Sequence, residues 1–145
     1  MFSADLFLDA QAPVIEAVLS ELRAGHKRTH WMWFIFPQLK ALGRSATARY
    51  YGLEGLDDAQ AWLAHPVLGS RLLACTQAVL MHTDVPVRDI MGSPDDLKLR
   101  SCMTLFRVAD PAQPLFDQVL QGFYRGQPDV LTLELLGLPR ETGSG

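Results

Sequence analysis

The chain is poor in several features that define protein classes. Its 145 residues include only two cysteines, Cys75 and Cys102. They form no C-x-x-C pair and each sits among apolar residues, which marks them as reduced packing residues of a cytosolic protein. No apolar run approaches the roughly eighteen residues of a membrane span. The acidic opening MFSADLFLDAQ lacks the cationic start of a secretory signal. The G-x-S-x-G, Walker and G-x-G-x-x-G motifs are all missing, so nucleophile-elbow, P-loop and Rossmann readings have no support and no cofactor is expected. Strand patterns are equally scarce. WMWFIF is short and apolar enough for a buried strand, but no alternating segment exists to pair with it.

One further absence is local. Between Glu21 and Glu54 there is no acid, while Arg23, Lys27, Arg28, Lys40, Arg44 and Arg49 all fall inside, in a protein whose net charge is −3. The overall charge argues against general nucleic-acid binding. The local excess of cations suits either an ordinary solvated face or a field that draws phosphate and other anionic ligands.

What is present is ordinary soluble composition, 48% apolar and 20% charged, in a length that fits one domain with a genuine core. Ile15, Val18, Leu19 and Leu22 recur at helical spacing, and Gly25 closes that stripe. Ser45 caps a short helix that Gly52 ends. Asp57 and Asp58 open another that carries Trp62 inward, and His65-Pro66 breaks and restarts the chain. Leu68, Leu72, Cys75 and Val79 make the next stripe. In Ser93-Pro94-Asp95-Asp96 the serine is expected to cap, with proline at the first helical position and two carboxylates at the positive end of the dipole. That helix is expected to run to about Val108. Leu115 to Phe123 mark another helix, and a last one runs from Pro128 to Gly137. The pattern predicts an all-α fold, a single compact domain of about seven or eight short helices spanning residues 1–138, not a regular bundle. Residues 139–145 are expected to form a flexible tail.

The candidate site residues lie in two stretches. In KRTHWMWFIFPQ, large apolar groups point in every direction of a helical wheel, so the bulk is core. Trp31 or Trp33 is free to line a pocket and stack on a planar ligand, with Lys27 and Arg28 nearby for its phosphates. His26 and His30 have a metal-ligand spacing, but the two cations between them and the missing third ligand argue against a metal. His30 is expected to donate to a backbone carbonyl at the edge of the aromatic cluster, with an acid–base role as the alternative. In the helix after Ser93, Lys98 shares an arc with Leu99, Cys102, Met103, Leu105 and Phe106. Its ammonium either snorkels past the edge or points into a cavity, which makes it the best single candidate for a functional cation. Ser101 and Thr104 offer hydroxyls on the opposite arc, for ligand or for helix contact. Asp95 and Asp96 are helix-start residues first and catalytic carboxylates second.

Four ordered stretches, KRTHWMWFIFPQ, LGRSATARYY, HPVLGSRL and SPDDLKLRSCMTLF, resemble a bacterial and fungal family of about this length, a domain of unknown function whose members sometimes carry the label calpastatin. The resemblance runs from about Asp5 to Leu136. It implies a compact all-helical fold and no established activity. The inhibitor role in that label would need an extended, partner-wrapping segment, for which an apolar compact chain gives little basis. Among positions matching the motifs, Gln38, Ser45, Tyr50, His65, Asp96, Lys98, Ser101 and Thr104 join Lys27, His30, Trp31 and Trp33 as places to look for a pocket. Two positions depart from the pattern, Cys102 where serine is expected and His26 where arginine is expected. A catalytic hydroxyl at the first, or an anion contact at the second, is put in doubt accordingly.

The expected function is therefore binding of a phosphorylated or nucleotide-like small molecule. The catalytic version is an N-glycosidase or hydrolase on an NAD- or ADP-ribose-related compound, for which Lys98, Asp96 and His30 are the candidates. The alternative is a non-enzymatic protein-interaction module.

Overall fold

Two fifteen-residue helices organise a computed structural model that describes residues 2–139; the predicted tail falls, from residue 140 onward, outside the described residues. These are α6 (Pro66–Leu80) and α8 (Asp95–Ala109). Both α5 (Leu56–Ala64) and α9 (Pro114–Tyr124) pack against each of them. Around this frame lie α1 (Ala4–Gln11), α2 (Ile15–Arg23), α3 (Met32–Ile35), α4 (Ala46–Tyr50), α7 (Val87–Met91) and α10 (Val130–Leu135), with a 3-10 turn at Lys40–Leu42. Three of the ten, α3, α4 and α7, are single turns of four or five residues. The spacing and caps predict α2, α4, α5, α6, α8, α9 and α10, whereas α1, α3 and α7 were not expected.

The predicted apolar stripes form one core. Leu68, Leu72, Cys75 and Val79 of α6 and Leu99, Cys102, Met103 and Phe106 of α8 are all fully or almost fully buried in the same cluster, together with Trp62 of α5, whose ring lies 6.2 Å from that of Phe106. Burial of such side chains contributes about 1.5–3 kcal/mol each. Local capping defines the helix starts. Ser45 Oγ accepts from the Ala48 N–H, and His65 Nδ1 accepts from the N–H groups of Val67 and Leu68, so the His65-Pro66 pair both ends α5 and starts α6.

The cap of α8 differs from expectation. The helix begins at Asp95, Pro94 occupies the cap position, and Ser93 makes no capping bond. Gly92 supplies the acceptor instead, its carbonyl taking the Asp96 N–H at 2.9 Å, so a serine hydroxyl has no orphan donor to serve there. Asp95 and Asp96 do occupy the first turn.

The irregular stretch between α3 and α5 is held by backbone pairing. Lys40 N–H donates to Leu53 and Leu53 N–H to Gln38, a parallel bridge that closes the segment carrying α4 and holds it against the 3-10 turn. Gly52 permits the close approach, since a Cβ there would lie 2.3 Å from the Lys40 Cα.

Candidate functional site

The acid-free stretch of sequence is not acid-free in space. Glu21, in the last turns of α2, turns its carboxylate onto the following loop. Oε1 accepts the N–H groups of Arg28 (2.7 Å) and Thr29 (3.0 Å) and the indole N–H of Trp31 (3.0 Å), while Oε2 accepts the Thr29 hydroxyl (2.7 Å). Burial alone would raise the Glu21 pKa, but these hydrogen bonds outweigh it and bring it down from 4.5 to about 2. At the start of KRTHWMW, Lys27 N–H donates to the Ile90 carbonyl of α7 at 2.7 Å. Both ends of KRTHWMW are thereby fixed to helices, although the loop has almost no regular structure of its own.

Lys98 stands where this loop meets α8. Its side chain is 26% exposed, neither snorkelled free nor sealed in the core, and its Nζ lies 5.8 Å from the centre of the Trp33 ring. Asp95, one turn earlier, pairs unequally with two lysines: Oδ2 is 3.0 Å from Lys27 Nζ, and Oδ1 is 3.9 Å from Lys98 Nζ. The two stretches singled out in the sequence therefore meet. A cleft of about 360 Å³ lies on one side of Lys98, lined by Lys27, Arg28, His30, Trp33 and Asp95. A second, of about 530 Å³, lies on the other, lined by Gln38, Arg44, Ser45, Arg100, Ser101 and Asp129. Pro94 and Lys98 line both, so the clefts are two lobes of one groove. Volumes of this size suit small-molecule ligands.

Several predicted residues are separated by this geometry. Trp33 is the tryptophan that lines the cleft; Trp31 is 1% exposed, and Glu21 satisfies its indole. His30 lines the smaller lobe but is exposed and makes no hydrogen bond among the described residues, so the expected carbonyl contact is absent. Ser101 reaches the larger lobe, its hydroxyl 3.1 Å from Asp129 Oδ2. Thr104 does not. It is fully buried, donating to the Arg100 carbonyl and accepting the Asp129 N–H, both at 2.8 Å, because α10 covers the arc that a wheel leaves open. Asp96 lines neither lobe; its Oδ1 is buried without a hydrogen-bond partner among the described residues, and its carbonyl accepts the Tyr124 hydroxyl. Burial, reinforced by the Asp96 charge, pushes the Tyr124 pKa up.

The buried Cys102 thiol has its pKa pushed well up by desolvation, and Cys75 is raised to about 12 for the same reason. Neither is a nucleophile. Cys102 is fully buried, so a hydroxyl in its place would be equally remote from the cleft. The residues missed in sequence are Glu21, Asp129 and Arg100. Glu21 and Asp129 act across loops on residues whose partnership no periodicity signals; Arg100 carried only the signal of its own charge.

A third hollow of about 770 Å³ is lined by Val108, Pro111, Pro114 and Leu138, together with Arg107 and Asp117, which pair with each other at 3.1 Å. It holds none of the predicted site residues. Among the described residues no helix is long and apolar enough to cross a membrane.

The chain matches no curated protein. Among solved structures it is similar to the conserved hypothetical protein Rv1873 from Mycobacterium tuberculosis. The two are 48% identical with a TM-score of 0.90, over 93% of this chain and 96% of that one. The helical architecture is thus shared with an experimental structure. A family model described as "Protein of unknown function (DUF1810)" matches residues 1–136, and the chain belongs to that family.

Proposed function

We propose that the groove centred on Lys98 binds a phosphorylated, nucleotide-like small molecule. The observation that carries this reading is the position of the Lys98 ammonium, which lines both lobes, is only loosely held by Asp95 at 3.9 Å, and stands beside the face of Trp33. A lysine so placed offers a point charge to a phosphate, and a half-exposed indole offers a platform for a planar base. Binding is better supported than catalysis. Cleavage of an N-glycosidic bond uses a carboxylate to offset positive charge on the sugar. Asp95 is already matched by two lysines, and Asp96 faces away from both lobes.

The test is a thermal-shift panel of inorganic phosphate, AMP, ADP, NAD and ADP-ribose on the wild type and on Lys98→Ala. A ligand at one hundred times its dissociation constant adds about 2.7 kcal/mol, which in a domain of this size raises Tm by roughly 5–10 °C. A shift for one phosphorylated class that disappears in Lys98→Ala supports the reading. No shift with any compound overturns it.

A second reading, a protein-interaction module without enzymatic activity, draws on Leu97 and Leu131. They line the larger lobe with 60% and 56% of their surface exposed, next to its arginines. It predicts that a partner, not a nucleotide, protects these side chains.

A further inference from the structure

The pairing of charges around the groove sorts its cations into those already used and those available. Lys27 is used. Its ammonium holds Asp95 at 3.0 Å and donates to the Thr29 carbonyl at 2.6 Å, its side chain is 7% exposed, and it lies 4.8 Å from the centre of the Trp31 ring. Lys40 is used as well, paired with Glu54 at 3.1 Å. The Arg44 side chain, by contrast, has no partner among the described residues, and it lines the larger lobe. Arg100 gives only its Nε–H to the Gln127 carbonyl.

The acids sort in the same way. Asp129 lines the larger lobe, but one of its oxygens already accepts the Ser101 hydroxyl and both the N–H and the hydroxyl of Thr132, at 2.6–3.1 Å. Three cations, Arg44, Lys98 and Arg100, therefore face one engaged carboxylate in that lobe. Two neutral donors stand with them. Ser45 uses its oxygen as an acceptor for the Ala48 N–H and keeps its hydroxyl proton, and the Gln38 amide makes no side-chain hydrogen bond among the described residues. The smaller lobe has the aromatic face instead. Its one acid, Asp95, is bound to lysine, and Trp33 forms the wall next to Lys98.

We infer that the two lobes divide one ligand between them. The larger lobe holds a diphosphate on Lys98 and Arg44, with Ser45 and Gln38 donating, and the smaller lobe stacks the attached base on Trp33. This rests on the reading of the groove as a nucleotide site and narrows it to nucleoside diphosphates and compounds that contain one. Lys98 is common to both lobes, so the phosphate nearer the sugar sits beside it and the outer phosphate extends toward Arg44. The guanidinium there matches phosphate oxygens two at a time. The net positive charge of the larger lobe suits a diphosphate better than a monophosphate, and the affinity is correspondingly salt-dependent.

Calorimetric titration at low salt with adenosine, AMP, ADP, GDP and pyrophosphate tests this on the wild type, Arg44→Ala and Trp33→Phe. The Arg44 side chain is exposed and bonds nothing among the described residues, so its replacement leaves the fold intact, and phenylalanine preserves most of the packing at position 33. The expected result is tighter binding of a diphosphate than of AMP, with adenosine weakest and pyrophosphate competing. Arg44→Ala should weaken the diphosphate at least tenfold and leave adenosine unchanged, whereas Trp33→Phe should weaken the nucleosides and leave pyrophosphate unchanged. Diphosphate binding that survives Arg44→Ala intact, or that pyrophosphate does not displace, overturns the division while leaving the groove a nucleotide site. Failure of every probe on the wild type overturns both.

Discussion

Replacing Glu21 removes the carboxylate that accepts from Arg28, Thr29 and Trp31 of the basic loop, and the structure sets the size of the effect. Four donors converge on its carboxylate, three of them on exposed groups, namely the Arg28 N–H, the Thr29 N–H and the Thr29 hydroxyl. Water substitutes for the carboxylate at those three. The fourth, the Trp31 indole N–H, belongs to a ring 1% exposed and is stranded when the acceptor goes. A stranded buried donor costs about 1–3 kcal/mol, so Glu21→Ala is expected to lose about 2–3 kcal/mol, or roughly 4–10 °C in Tm. Glu21→Gln keeps an oxygen for the three bonds to Oε1 and loses the charge and the Oε2 bond, for about 1 kcal/mol at neutral pH. The pH dependence has a definite sign. The folded pKa, about 2, lies below the 4.5 of the free group, so the stabilisation is fully present above pH 4.5 and is lost as pH falls from there toward 2. Solvent screening at this partly exposed site makes the loss smaller than a deeply buried carboxylate would show. Urea unfolding followed by circular dichroism at pH 7, 4.5 and 3 measures it. The gap between wild type and Glu21→Gln should narrow across that window. A gap that stays constant from pH 7 to 3, or an alanine variant as stable as the wild type, refutes the reasoning.

Two other consequences are checked more simply. Thr104→Val keeps the shape of a fully buried side chain but leaves the Asp129 N–H without its acceptor, which should cost about 1–3 kcal/mol and speed amide hydrogen exchange in α10; unchanged exchange there would mean that Thr104 does not hold that helix. Trp31 and Trp62 are 1% and 0% exposed while Trp33 borders the groove, so the acrylamide-quenchable part of the tryptophan emission should vanish in Trp33→Phe. Quenching that persists in that variant would place another indole at the surface.

Where the chain organises itself locally, its structure was legible. The stripe on α6, the Ser45 cap, the His65-Pro66 break and the inward turn of Trp62 all follow from spacing within one or two turns. The single turns α3 and α7 were not, since four or five residues complete too little of a helical period to show a face. The wheel for α8 placed Lys98 with the apolar residues, and its side chain is found 26% exposed, but it offered Ser101 and Thr104 to a ligand or to helix contact without naming a partner. Their actual cover is Asp129, 25 to 28 residues later. The choice between Trp31 and Trp33 was equally out of reach. It depends on Glu21, which a reading of charge along the chain treats as the boundary of the basic stretch and not as part of it. Likewise the count of six cations overstated the free charge, because Lys27 and Lys40 are paired with Asp95 and Glu54.

These pairings explain how a fold of short helices presents a usable cation. The segments that wall the groove are irregular, and each is held by a few backbone bonds, Lys27 to Ile90 on one side and the Gln38–Leu53–Lys40 bridge on the other. Lys98 itself is carried by a helix whose Leu99, Cys102 and Phe106 are fully buried, so its backbone has little freedom to move. Its ammonium, in turn, is guided by two weak interactions, a carboxylate at 3.9 Å and an indole face at 5.8 Å. A tighter partner would consume the charge, as Asp95 consumes that of Lys27, and no partner at all would leave a long side chain to be ordered by the ligand. Ordering such a side chain costs about 0.5–1.5 kcal/mol on binding. Weak guidance on a rigid helix lowers that cost and keeps the charge exchangeable, which is what a reversible phosphate site requires.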